Sequence, residues 1–140
     1  MIKLTWWFRV MGLIYIVLGA LWLPPFFAPR IESAIPGFDA PAGGTAVAGL
    51  LDYMLLFSLE LLVLGAFLIV ASFRPTWHEP LVWLVVALGV VRGILDDVYM
   101  IVAGYPPVTF IALIGLHLAI ILTGLLFLRS ARRSRVMAYA

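Results

Sequence analysis

LVWLVVALGVVRGILDDVYMIVA, residues 81–103, is the stretch on which the fold turns. A helix crosses a bilayer in about 20 apolar residues at 1.5 Å rise, and this run is long enough. Arg92, Asp96 and Asp97 interrupt it. Its thirteen Leu, Ile and Val residues favour insertion by on the order of 6 kcal/mol. The three charges oppose this with up to about 9 kcal/mol, less toward the end of the segment. Alone it inserts poorly, so the other helices are expected to pack around it and answer its charges.

Within the run, Arg92, Asp96 and Tyr99 follow the i, i+4, i+7 spacing of one α-helical stripe, with Gly89 on the same side a turn earlier. Asp97 stands apart and continues the line Gly89–Gly93 at spacing four. Gly89-x-x-x-Gly93 is a small-residue face of the kind that lets another helix backbone come close. An intrahelical Arg92–Asp96 ion pair would lower the insertion cost, but it does not cover Asp97.

Outside this stretch the composition fixes the class. Of 140 residues, 65% are hydrophobic and 11% charged, against about 45–50% and 25% for soluble domains. An integral membrane protein is expected, with no room for a separate soluble domain. The absence of cysteine excludes disulfides, thiol redox chemistry and thiolate metal sites. The net charge of +2 gives no reason to expect nucleic-acid binding.

Four spans are expected, at residues 6–23, 46–73, 81–103 and 108–128. Trp6, Trp7 and Trp22 mark the ends of the first as aromatic belts, and Arg9 lies one turn inside, able to snorkel. No small-x-small cleavage site precedes Pro24–Pro25, so the first segment reads as an uncleaved helix. Gly12 and Gly19 form a packing face, with Tyr15 near mid-depth. Residues 24–45, rich in proline and glycine, form an extracytoplasmic loop with a short interfacial helix at Arg30–Ala34. Residues 74–80 are a charged turn, 104–107 a neutral one, and 129–140 a basic tail. With the N-terminus in the cytoplasm, Lys3, Arg9, Arg74, Arg129, Arg132, Arg133 and Arg135 fall inside and only Arg30 outside. That asymmetry follows the positive-inside rule. An all-α membrane protein, a four-transmembrane-helix bundle with both termini in the cytoplasm, is therefore expected in a bacterial inner membrane.

At equal depth, Tyr15, Glu60, Arg92 and His117 come to the midplane, and Asp52, Tyr53, Asp96, Asp97 and Tyr99 to the outer half. Intramembrane polar groups nearly always face inward, so these residues are expected to converge. Four carboxylates then face Arg92 and His117, and the surplus must take up protons, bind a cation or reach water. Three functions compete. In the first, a pocket binds a lipophilic small molecule and isomerises or cyclises it, with Glu60 or Asp97 as acid and His117 or Asp96 as base. Arg92, Asp52, Tyr15, Tyr53 and Tyr99 line it, with no metal and no cofactor. In the second, an oligomer conducts protons or cations. In the third, the protein is an accessory subunit whose polar groups pair with a partner's helices. No catalytic triad, phosphate loop or dinucleotide fingerprint occurs.

Arg9-x-x-Gly12 with Leu18-Gly19, Glu60 with Leu64-Gly65, Arg74-Pro75 and Arg92-Gly93 resemble patterns of small uncharacterised four-helix bacterial inner-membrane proteins, DoxX-like in outline. The resemblance covers nearly the whole chain. It implies a four-helix membrane fold and, as for some DoxX-like proteins, an accessory role beside a membrane oxidoreductase. It carries over no catalytic residue, and Asp96 and Asp97 depart from it.

Overall fold

The computed structural model describes the backbone of residues 2–139 and the side chains of residues 2–134; the side chain of Arg135 therefore lies outside the described residues. Among these the secondary structure is helical, without strands. Three helices are long and apolar enough to cross a membrane: α1 (Ile2–Trp22), α4 (Thr45–Ala71) and the part of α7 (Pro107–Tyr139) that runs to Ser134. A further long helix runs without a break in helical dihedrals from α5 (His78–Leu88) through a π-helical segment, Gly89–Leu95, into α6 (Asp96–Val102). The chain divides into two compact units, Val10–Ile69 and the pair Met1–Arg9 with Val70–Ala140.

In the first unit α1 crosses α4 at glycines. A Cβ on Gly12 would lie 2.7 Å from the Gly65 carbonyl oxygen, and one on Gly65 would lie 2.7 Å from that of Gly12. The two backbones thus touch, the contact that small residues make available in membranes. One and two turns away, Gly19 lies against Leu62, and the buried Ser58 hydroxyl donates to the Gly19 carbonyl. Ser58, Leu61, Gly65 and Leu68 are buried, the three-and-four spacing of one α-helical face. The expected packing face through Gly12 and Gly19 is this crossing, and Tyr15 is buried beside it.

Pro24 and Pro25 open α2 (Pro24–Phe27), where their missing N–H groups leave no bond unmade. A 3-10 turn, Ala28–Arg30, then leads into α3 (Ile31–Ala34), so the loop after the first span holds more helix than the sequence indicates. Phe27 and Ile31 bury one face of it, and Trp22 meets Phe27 at 5.0 Å between ring centroids. Arg30 turns back to donate to the carbonyls of Phe26 (2.9 Å) and Leu21 (2.6 Å). It answers carbonyls in the last turns of α1 and α2, the placement that a helix end favours for a cation.

In the second unit α7 is flanked by the first turns of α1 and by the His78–Val102 helix. Trp7 is not a belt residue. It is buried against Gly124 and donates its indole N–H to Thr123 Oγ1 at 3.1 Å. His78, within the stretch expected as a charged turn, is also buried, with its ring 4.8 Å from that of Phe8 and Nε2 3.0 Å from the Ala71 carbonyl oxygen. The charged turn is short because Pro75–Trp77 forms a 3-10 turn and α5 starts at once. Arg9 holds its guanidinium 5.1 Å from the Trp6 ring and 5.0 Å from the Phe73 ring, with Nε 3.4 Å from Ser72 Oγ.

Gly104 ends α6 at φ +89°, where its Tyr105 neighbour donates to the Met100 carbonyl and Gly104 itself to that of Ile101. This is the glycine-stopped helix end with its two reversed bonds, and Pro107 then starts α7. Beyond residue 128 the basic tail continues as helix, since nothing between Arg129 and Tyr139 is a glycine or proline. Gly65→Ala is expected to lower the unfolding free energy in mild detergent by about 1–3 kcal/mol through overpacking. Gly49→Ala, whose added carbon meets nothing within 4 Å, should hold or raise it; titration with a denaturing detergent followed by circular dichroism reads both.

Candidate functional site

The site is decided by how the third segment turns. Val85, Gly89, Gly93 and Asp97 are all buried, at successive steps of four. In an α-helix each residue turns by about 100°, so three such steps carry a side chain about 120° round from where it started. The π-helical segment Gly89–Leu95 removes that drift, because i→i+5 bonding widens the turn. The four positions then form one line, and the line faces α7. A Cβ on Gly89 would come 3.2 Å from Ile121, and one on Gly93 would overlap the ring of His117.

A straight α-helix from Val85 would put Arg92, Asp96 and Tyr99 in that line. Here all three are exposed, so the stripe expected to face inward faces outward. Asp97 takes the place in the seam. On α4, Asp52, Tyr53 and Glu60 are likewise exposed, off the face formed by Ser58, Leu61, Gly65 and Leu68. All six, expected in the interior, are exposed. Tyr15 is buried within its own unit.

Asp97 and His117 do meet. Asp97 is 4% exposed, and its Oδ2 lies 3.4 Å from His117 Nδ1. The same Nδ1 lies 2.9 Å from the Leu113 carbonyl oxygen. Both neighbours of Nδ1 are oxygens, so the hydrogen-bond pattern assigns a proton to Nδ1. The N–H points at the nearer carbonyl, and 3.4 Å is too long for a second good bond. Asp97 Oδ2 is therefore in electrostatic contact with the ring edge but has no hydrogen-bond donor among the described residues. A buried carboxylate oxygen without a donor is costly. The arrangement is that of a carboxyl–imidazole couple: a carboxyl group beside Nδ1–H, with Nε2 on the far edge of the ring. His117 keeps 17% of its side-chain surface, so the couple is not sealed.

Gly93 makes the pair. Only hydrogen on its α-carbon admits the imidazole, and the sequence signal for this was the Gly89–Gly93–Asp97 spacing. Nothing in the spacing names His117 as the partner, because that depends on the register between two helices. No group of three or more His, Cys, Asp or Glu among the described residues has the geometry to hold a metal ion.

A helical membrane-compatible chain with one buried carboxyl–imidazole couple defines a class but no reaction. The chain belongs to the BphX-like family, whose model matches residues 1–133. The match is to this family and does not extend to the DoxX-like outline. No curated protein and no solved structure matches it. Gly93→Ala should lower stability by about 1–3 kcal/mol, and His117→Ala in the same chain should restore part of the loss. A double-mutant cycle read by detergent unfolding measures that coupling; additive losses would separate Gly93 from the ring.

Proposed function

We propose that the protein is a four-span bacterial inner-membrane protein, both termini cytoplasmic, that binds a lipophilic small molecule at the Asp97–His117 couple. The observation that carries this reading is the buried Asp97 Oδ2 with no donor of its own beside a part-exposed imidazole. A ligand hydroxyl or enol offered there supplies the missing hydrogen bond, and ionisable groups inside membranes are functional candidates by default. As an enzyme the protein would isomerise or cyclise its ligand. His117 Nε2 then takes a proton, and Asp97, next to Nδ1–H, steadies the imidazolium that forms. Glu60, Arg92 and Asp96 stand outside this couple, on exposed faces of their helices.

The His78–Val102 helix is the third span in this reading. Its charges make it too polar to insert alone, and its buried line against α7 supplies the partner it needs. A second reading, assembly with further helices of the same or another chain, is favoured by one observation. Asp52 and Asp96 are exposed on their helices, where lipid is a poor neighbour for a carboxylate.

Orientation is testable because the chain has no cysteine of its own. In spheroplasts, Asp39→Cys should react with a membrane-impermeant maleimide and Ser134→Cys should not; the reverse pattern overturns the orientation. For the site, protein extracted in mild detergent should carry a lipophilic compound detectable by mass spectrometry. Asp97→Asn and His117→Gln should each lower its occupancy by roughly tenfold, the worth of one charge-assisted hydrogen bond. Undiminished occupancy in both folded variants would make the couple a packing device.

A further inference from the structure

The basic end of α7 has a feature that the Asp97–His117 couple does not use. Ser130 and Ser134 stand one turn apart and border two grooves. One groove, about 450 Å³, is also lined by Lys3, Ile2 and Phe127, and the other, about 420 Å³, by Arg129, Arg133 and Leu126. We infer that this end is a binding site for one anionic phospholipid, with its phosphate at the Ser130 ridge between Lys3 and the Arg129–Arg133 pair, and its acyl chains along Ile2, Leu126 and Phe127.

The charges at this end sort into two sets. Arg9 is held between Trp6, Phe73 and Ser72, and Arg132 is ion-paired with Glu79. Lys3, Arg129 and Arg133 are exposed and have no carboxylate partner among the described residues. Arg129 and Arg133 are also four apart on one helix, where like charges repel by a few tenths of a kcal/mol. An anion between them turns that repulsion into attraction. Glu79 is already committed to Arg132.

The position names the anion's source. The apolar part of α7 ends at Leu128, and helix continues through Ser134. At 1.5 Å per residue Ser130 lies about 3 Å and Arg133 about 7.5 Å beyond Leu128, within the headgroup layer of a bilayer. Ile2 is 78% and Leu126 61% exposed, apolar surface lining the same grooves as the cations. Ser134 Oγ donates back to the Ser130 carbonyl, so the Ser130 hydroxyl is the one available to a phosphate oxygen. A free phosphate would use the cations and the hydroxyl but leave Ile2, Leu126 and Phe127 in water. Each Lys or Arg near an anionic headgroup contributes enough to change affinity by roughly fivefold.

This inference rests on membrane insertion but not on the Asp97–His117 reading, and one experiment separates them. Detergent-solubilised protein is titrated with phosphatidylglycerol or phosphatidylcholine of identical acyl chains and observed by native mass spectrometry. The wild type should take up one phosphatidylglycerol at concentrations where phosphatidylcholine adducts are rare. Lys3→Gln, Arg129→Gln and Arg133→Gln should each weaken the adduct by roughly fivefold, and the triple variant should lose the lipid preference. Arg132→Gln and Asp97→Asn should keep it, the second even if the ligand proposed for the couple is gone. All substitutions lie at exposed helix positions apart from Asp97, and unchanged circular dichroism confirms folding. Equal uptake of the two lipids by the wild type, or an undiminished preference in the triple variant, overturns the site. Displacement of the lipid by millimolar inorganic phosphate would also overturn it, by making the site one for the free anion.

Discussion

The widened turn at Gly89–Leu95 is the constraint on which the second unit depends. Val82 and Val85 at the start of the third segment and Asp97 near its end all have to reach α7. An α-helix meets a straight neighbour at alternating steps of three and four, so steps of four alone rotate away from it. Four-residue steps stay in register only where the helix is unwound locally, and i→i+5 bonding does that within seven residues. Without it the seam would receive Arg92 and Asp96 in place of Gly93 and Asp97. A pair of opposite charges would then have to be buried near Ile120 and Ile121, at a desolvation cost that Gly93 and Asp97 halve.

Two glycines pay for that turn. Gly89 and Gly93 lie on the inside of the widened segment, and their lack of side chains is what brings Ile121 and His117 onto the backbone. Packing of the imidazole on Gly93 compensates for the poorer hydrogen-bond geometry of the π turn through dispersion contacts and through the proximity of Nδ1–H to Asp97. The same contact sets the tautomer, because Leu113 and Asp97 both present oxygen to Nδ1. Helix geometry, ring orientation and the chemical character of Nε2 are thus one linked arrangement. A change at any of the three positions is felt at the other two.

Much of this was legible in the sequence. Three of the four apolar stretches are visible as helices because their length and hydropathy exceed anything a loop needs, and Pro24–Pro25 and Gly104–Pro107 stop them where backbone chemistry requires. Gly12 and Gly19 announce a packing face by spacing alone. The step of four through Gly89, Gly93 and Asp97 was also readable, but the α-helical stripe Arg92–Asp96–Tyr99 competed with it. Periodicity arguments assume 3.6 residues per turn, and one π turn shifts every later residue by a position. Trp7 and His78 were misplaced for another reason. Both are amphipathic side chains near segment ends, where a belt or turn position is the ordinary reading. Only the partners, Thr123 and Gly124 for Trp7 and Phe8 for His78, put them inside.

The contrast between the two chemically distinctive places follows from their surroundings. Asp97 and His117 are held against one backbone with a carboxyl oxygen left over, so their properties depend on burial and on angstrom-scale geometry. Ionic strength reaches such a pair only weakly. Lys3, Arg129 and Arg133 lie on open helix surface where water and salt have access, and their effect depends on number and sign more than on placement. Loss of any one of them is partial, whereas loss of one member of a buried pair leaves the other without a partner. The basic tail can therefore tolerate exchange among its cations while keeping its affinity for anions. The Gly93–Asp97–His117 arrangement tolerates almost none, because each member supplies a different part: space, charge and ring.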